Sequence, residues 1–427
     1  MTGQTEPRAS GYGPPRQRAL LAAIDTGEYD PETSLDELTE LARSAGAEVA
    51  GRMIQKRDAP DAATCIGAGR LEEAAAFIRD NQVELMIFDL ELSKSQLANI
   101  EEAVGVRVVD RTMLILDIFA QRAKSSEGRL QVELAQQRYL LPRLRGQGSE
   151  LSRLGGGIGT RGPGETKLES DRRHIRRRIA ALERELEEVG RRRALVRGRR
   201  QKNEAPAIAI VGYTNVGKST LLNRLTAAGV LAEDMLFATL DPTARALALP
   251  DGRTAVLIDT VGLVRRLPHH LVEAFRSTLE EAAQADLIWN VCDASAPDME
   301  EQLAVTRELL AGLGAEGVPV LDVLNKCDRL ALPPFLPGGG GIAPVAISAK
   351  TGYGLDALLS ATAKALRAAH TRLTLLIPYS EGGLAAEIRA RGRVFSEEFC
   401  EKGVLLDALV DNRLLHRARK FLAAAEK

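Results

Sequence analysis

Gly212-x-x-x-x-Gly217-Lys218-Ser219 is the stretch of this chain whose residue types and spacing say most about chemistry. Glycines at both ends let the backbone N–H groups of the intervening Tyr213, Thr214, Asn215 and Val216 wrap phosphate oxygens. Lys218 then reaches the outer phosphates, and the Ser219 hydroxyl, ahead of Thr220, can bind Mg²⁺. Asp259-Thr260-Val261-Gly262 follows: a carboxylate that can hold a magnesium water, and a glycine whose backbone N–H can approach a γ-phosphate. Further on, Asn325-Lys326-Cys327-Asp328 ends in a carboxylate that can accept from both the ring N–H and the exocyclic amine of guanine. Adenine lacks those donors there, so Asp328 selects GTP over ATP. Ser348-Ala349-Lys350 completes the base pocket in chain order. The residue after Gly262 is Leu263, where a water-orienting glutamine is common. A leucine can neither donate nor accept, so no catalytic base is named.

These motifs need strands and helices to aim them. The apolar run 207–211 reads as a strand feeding the phosphate loop, with helical STLLNRL behind it; AVLID and VPVLDVLNKCD read as strands ending at the next two motifs. The expected fold class is α/β. A P-loop GTPase domain (204–370) follows a small parallel α/β domain (1–123) and an antiparallel helical hairpin (124–203), and precedes a small α+β domain (371–427). In the first domain, Ser34 with Glu37 and Ser93 with Gln96 stand at capping-box spacing, and Gly46 and Gly105 mark helix ends. In the hairpin, one seam runs Leu130, Leu134, Gln137, Leu141, Leu144, and a second runs Ile175, Ile179, Leu182, Leu186, Val189. The connecting LSRLGGGIGTRGPGETKLE is too glycine-rich for helix. Its Gly157-x-Gly159-x-x-Gly162 lacks the strand a dinucleotide fingerprint requires, so it reads either as a loop suited to probing RNA or a partner or as a disordered connector.

Composition narrows the classes. A chain of 427 residues exceeds one core, and 45% hydrophobic with 27% charged residues is a globular composition. No apolar run approaches the roughly 18 residues of a membrane span, and the N-terminus has no signal-peptide core, so no stable membrane insertion and a cytoplasmic location are expected. The four cysteines form no C-x-x-C pair, and no protein-ligated metal site is assigned. The net charge of −1 hides a split. Residues 121–200 hold 21 Lys+Arg against 10 Asp+Glu, a net of +11 that leaves −12 elsewhere. Such asymmetry fits either a solvated helical face or a polyanionic partner, and Arg172, Arg173, Arg176 and Arg177 lie mostly off the apolar seam as RNA-binding candidates.

The four motifs resemble those of translation-factor-related P-loop GTPases, and Phe237-Ala238-Thr239-Leu240-Asp241-Pro242-Thr243 resembles the first switch of the HflX and Obg group. ILDIFAQRAKSSEGRLQVELAQQRYLLPRL and LSRLGGGIGTRGPGETKLESDRRHIRRRI closely resemble the region before the GTPase domain in HflX proteins. The resemblance covers about residues 60–370. It implies a GTPase that binds the large ribosomal subunit and its rRNA and splits or rescues stalled ribosomes, acting as a monomer. Carried over by position, Ser219 and Thr239 ligate Mg²⁺, Asp259 acts through water and Gly262 senses the γ-phosphate. Asn325 and Asp328 read guanine, with Ser348 and Ala349 supporting the base. HflX-like proteins share a hydrophobic residue at 263, which implies slow intrinsic hydrolysis accelerated by the ribosome, and Asn215 could also help bind K⁺. The competing expectations are an RNA-binding scaffold that scarcely turns GTP over and an RNA-remodelling ATPase.

Overall fold

The computed structural model describes residues 17–144, 163–202, 205–226, 237, 243–266, 271, 282–315, 317–332, 342–368, 370–411 and 414–423. The chain divides into two compact units, residues 1–121 with 136–177, and residues 122–135 with 178–427.

The first unit is built on a four-stranded, all-parallel sheet. Strands β1 (Arg18–Asp25), β2 (Glu48–Lys56), β3 (Leu85–Phe88) and β4 (Arg107–Asp110) lie in the order β2-β1-β3-β4. Helices α1 (Pro31–Ser44), α2 (Ala68–Asp80), α3 (Lys94–Val104) and α4 (Arg111–Arg122) alternate with them. The Ser93–Gln96 capping box forms, and Gly105 ends α3 at φ 74°. Ser34 and Glu37 do not cap α1. The helix begins a turn earlier, where the Asp30 carboxylate accepts from the Thr33 N–H at 3.0 Å and Pro31 supplies a pre-set φ.

Ser34 and Glu37 serve the interior instead. The Ser34 hydroxyl donates to Asp89 (2.5 Å), and Arg111 bonds both Asp89 (2.7 Å) and Glu37. Asp89 and Asp110 both sit at carboxyl ends of strands, where α/β sheets often bind ligands. Here both are satisfied internally. Asp110 accepts from the Tyr139 hydroxyl (2.7 Å) and from the N–H groups of Met113 (2.8 Å) and Leu92 (3.2 Å). They are structural groups, and removing one partner of the buried Arg111–Asp89 pair would cost about 3–5 kcal/mol.

Helix α5 (Ser126–Leu140) stops at Leu140, and a short 3-10 turn, Leu141–Arg143, follows. The expected heptad therefore does not continue through Leu141 and Leu144; the buried positions of α5 are Gly128, Gln131, Val132, Leu134, Ala135 and Tyr139. Tyr139 takes the core position by anchoring to Asp110, and Arg143 stacks 3.7 Å above its ring. Helix α6 (Pro163–Lys202) starts inside the stretch expected to be loop. Proline at its first position lacks only an N–H the first turn does not use, so the segment GPGETKLE is helical from Pro163 onward. The glycines at 155–157 lie outside the described residues. On α6 the second seam holds: Leu182 is fully buried, and Arg178 grips Glu133 of α5 with two bonds of 2.6 and 2.7 Å.

The second unit carries a six-stranded sheet in the order β10-β9-β8-β5-β7-β6. Its strands are β5 (Ala207–Val211), β6 (Thr243–Ala248), β7 (Thr254–Asp259), β8 (Leu287–Asp293), β9 (Val320–Asn325) and β10 (Val345–Ala346). All pairs are parallel except β6 with β7. The helices are α7 (Lys218–Thr226), α8 (Met299–Gly312) and α9 (Leu355–Ala368). β5 is apolar throughout because it is central and covered on both faces. Trp289 on β8 is fully buried, its indole N–H donating to Thr362 of α9 at 3.1 Å. The C-terminal part is an antiparallel sheet, β11 (His370–Ile377), β12 (Arg393–Cys400) and β13 (Gly403–Asp411), in the order β11-β13-β12. Helix α10 (Gly382–Arg391) contributes Leu384 and Ile388 to its core.

Candidate functional site

Five neighbouring segments of the six-stranded sheet end at one edge, and the candidate residues stand there. The phosphate loop leaves β5 and enters α7 at Lys218, so the first-turn N–H groups of that helix face the loop. Asp259 ends β7, Asp293 ends β8, Asn325 ends β9, and Ser348 follows β10 by two residues. This is the carboxyl edge, where open parallel sheets place their ligands.

Loop geometry accounts for its glycines. Gly217 has φ +95°, and a Cβ there would lie 2.4 Å from the Asn325 Nδ2. A Cβ on Gly262 would come within 2.6 Å of Thr214 Cγ2 and 3.0 Å of Lys218 Nζ, so the loop after β7 passes directly against the phosphate loop. Backbone bonds lock the two together: Thr214 N–H donates to the Leu263 carbonyl (2.7 Å) and Leu263 N–H to the Gly212 carbonyl (3.1 Å). The Leu263 side chain is buried, and Thr260 donates to the Ile210 carbonyl at 2.7 Å. Asn215 is exposed at φ 61°, a left-handed position asparagine tolerates.

Lys218 is buried, and its ammonium donates to the carbonyls of Gly212 (2.9 Å) and Tyr213 (2.6 Å). Burial lowers its pKa to about 8, and the nearby Asp259 offsets part of that. A polyphosphate beside the ammonium would raise that pKa again. Nucleotide binding should therefore take up protons above about pH 8 and almost none at pH 7, so affinity falls as pH rises through 8. Calorimetric titration in buffers of differing ionisation enthalpy at pH 7 and 8.5 reads this directly. Equal proton uptake at both values would contradict it.

Ser219 Oγ lies 3.3 Å from Asp259 Oδ2, and Asp259 is fully buried. A hydroxyl and a carboxylate at a helix N-terminus are hard oxygen donors of the kind Mg²⁺ takes beside substrate phosphates, so this pair fits the ion. Magnesium supplies charge neutralisation of the phosphates when bound; the chain's contribution is to hold the two oxygens together. The second expected ligand, Thr239, lies outside the described residues, as do Ala238, Leu240 and Asp241. Phe237 is buried at φ 57°.

On the base side, Asn325 works as a tether. Its amide nitrogen donates to the Val216 carbonyl (2.7 Å) and its oxygen accepts from Ala349 N–H (2.9 Å), joining the phosphate loop to the segment after β10. Cys327 is buried, its N–H donating to the Ile347 carbonyl (3.1 Å), and burial pushes its thiol pKa up. Asp328 is exposed toward solvent. The Ser348 hydroxyl donates to its Oδ1 at 2.6 Å and holds the carboxyl below the usual carboxylate range. Lys350 and Thr220 are exposed at the rim. Asp293 was not singled out from sequence, although it ends an apolar strand just as Asp259 does.

Arg173, Arg176 and Arg177 are exposed on α6, and Arg172 is half-buried. Among the described residues no helix is long and apolar enough to cross a membrane.

Family models match residues 32–120 (GTP-binding GTPase N-terminal), 122–200 (GTP-binding GTPase Middle Region) and 207–326 (50S ribosome-binding GTPase). A GTPase HflX from Caldanaerobacter subterraneus is 52% identical over 95% of this chain and 94% of its own length. A GTPase HflX from Lacrimispora saccharolytica is 50% identical over 93% and 94%. A GTP-binding protein from Sulfolobus solfataricus, solved with GDP, aligns at 26% identity and a TM-score of 0.45, over 82% of this chain and 99% of that one. With half its residues shared with curated relatives along nearly the whole chain, the protein belongs to the HflX family of GTPases and hydrolyses GTP.

Proposed function

We propose that this chain is a GTP-driven switch that associates with the large ribosomal subunit and splits or rescues stalled ribosomes. Its working parts are the N-terminal domain (1–123), the basic hairpin (124–203), the GTPase domain (204–370) and a C-terminal domain (371–427). In this reading Lys218 and the N–H groups of residues 213–219 hold the phosphates. Ser219 and Thr239 ligate Mg²⁺, with Asp259 acting through water, and Gly262 senses the γ-phosphate. Asn325 and Asp328 read guanine on a support of Ser348 and Ala349, and Asn215 assists a K⁺ ion. A ribosomal partner goes with a cytoplasmic, monomeric protein.

The observation that carries the ribosomal part is the arginine face of α6. Arg173, Arg176 and Arg177 stay exposed while Arg178, one position on, is committed to Glu133. A row of solvent-facing guanidiniums on a segment of net +11 suits phosphate backbone, and binding of that kind weakens steeply with salt. The family model named for 50S binding over 207–326 supports the same partner. Sucrose-gradient co-sedimentation with ribosomes in GTP-analogue, GDP and empty states tests it. The protein should travel with large subunits in the GTP-analogue state, and charge reversal of Arg172, Arg173, Arg176 and Arg177 together should weaken this about tenfold or more. Co-sedimentation indifferent to both nucleotide and charge reversal would remove the proposal.

A further inference from the structure

Asp293, at the end of β8, is a further strand-end carboxylate of the nucleotide edge. Its two oxygens have separate duties. Oδ1 accepts from the Ser295 N–H (3.0 Å) and hydroxyl (2.6 Å), which fixes the side chain against its own turn. Oδ2, held in place by that turn, faces Lys326 Nζ at 2.8 Å, with Arg329 further off at 3.7 Å. Both side chains of the Asp293–Lys326 pair are more than four-fifths shielded from solvent, so this is no ordinary surface ion pair. Burial acts to raise the Asp293 pKa, but the bonds from Lys326 and Ser295 outweigh it and keep the carboxyl below the usual range.

Topology gives the pair its meaning. Lys326 leaves β9 in a left-handed conformation (φ 64°), and its ammonium is anchored at the end of β8, the next strand in the sheet. Its four-carbon stem thus bridges two adjacent strand ends. On its N-terminal side Asn325 is tied to the phosphate loop, and two residues on its C-terminal side stands Asp328. A flexible lysine stem loses rotamer freedom when fixed; one already anchored offers an apolar ledge without that loss on binding.

We propose that Asp293 is a positioning residue of the nucleotide site, holding Lys326 so that its stem forms a preset ledge for the purine ring beside Asp328. This rests on the reading of Asp328 as the guanine reader. Because the base is common to GTP and GDP, the two should be affected alike.

Asp293→Asn is the informative variant, since it keeps the Oδ1 acceptor for Ser295 and turns the oxygen facing Lys326 into an amide NH₂, a donor that the ammonium cannot bond. Affinities for fluorescent GTP-analogue and GDP should both weaken about tenfold, the size of one lost charge-assisted bond. In steady-state hydrolysis the change should appear in KM and not in kcat. Lys326→Gln alone should weaken binding similarly, and the double variant should be no worse than either single one, because both break the same link. Additive effects, or unchanged affinity in Asp293→Asn, would overturn the proposal. Should Asp293→Asn fold poorly, Ser295→Ala loosens the carboxylate while leaving the pair intact, and a weakening of about threefold is expected; none would count against it. Asp328→Asn measured alongside separates the two ideas. If it alters base preference while Asp293→Asn does nothing, the ledge is wrong and the guanine site stands. If neither changes binding, the guanine site itself is misplaced.

Discussion

Replacing Lys218 by alanine is expected to lower GTP turnover by about three orders of magnitude and GTP affinity by about two. The ammonium is buried and already committed to the carbonyls of Gly212 and Tyr213. An incoming triphosphate offers it stronger, charged acceptors within the same loop. Two charge-assisted bonds, each worth about 1.5–3 kcal/mol, disappear with the side chain, and the two carbonyls are left without their donor. Arginine should not substitute, because a planar guanidinium needs more room than the compact ammonium occupies. Turnover and fluorescent-nucleotide titration of Lys218→Ala and Lys218→Arg check this. Hydrolysis surviving in either within tenfold of the parent would mean that the loop does not hold the phosphates.

Asp328→Asn should change which base the protein accepts. The carboxylate presents two acceptors, matching the ring N–H and the exocyclic amine of guanine. Ser348 fills one lone pair of Oδ1 and holds the carboxyl below the usual carboxylate range. An asparagine presents one acceptor and one donor, so the guanine amine would face an amide NH₂. Xanthine, with a carbonyl at that position, would instead be matched. A site built around a polar contact rejects the mismatched partner by about 10⁴-fold when the contact is fully buried. Because Asp328 is exposed in the empty protein, a change of about 10³-fold in the GTP-to-XTP affinity ratio is the expected size. An unchanged ratio would show that Asp328 does not touch the base.

The sequence made the chemistry at each strand end readable because those signals are local. Gly212, Gly217, Lys218 and Ser219 are constrained by one turn of backbone, and Asp259 and Asn325 each close a mostly apolar, largely buried strand, whereas Ser348 follows only the two half-buried residues of β10. What depends on which strands lie side by side was not readable. Asp293 matters because β8 neighbours β9, and that adjacency brings it to Lys326. Asn325 reads as a base contact by motif, yet its amide spans to Val216 and Ala349, partners 109 and 24 residues away in sequence. Helix ends went astray where two signals competed. Ser34 and Glu37 have capping-box spacing, but Asp30 followed by Pro31 starts α1 first and leaves them to the buried pair of Asp89 and Arg111. The seam through Leu141 and Leu144 is a valid heptad pattern that Tyr139 displaces, since its hydroxyl adds a buried donor to the two backbone N–H groups that already bond Asp110.

Leu263 bears on how the GTPase is controlled. Its side chain is buried and its backbone is bonded at both ends to the phosphate loop, so position 263 presents no polar side-chain group to a water. In the proposed cycle, the missing assistance comes from the ribosome, and groups supplied in trans can raise phosphoryl transfer by about 10³–10⁵. The most direct test is the single-turnover rate of GTP hydrolysis by the full chain, with and without purified large ribosomal subunits. Hydrolysis should be slow for the chain alone and should accelerate about a hundredfold or more with subunits present. Equal rates in the two conditions would contradict it.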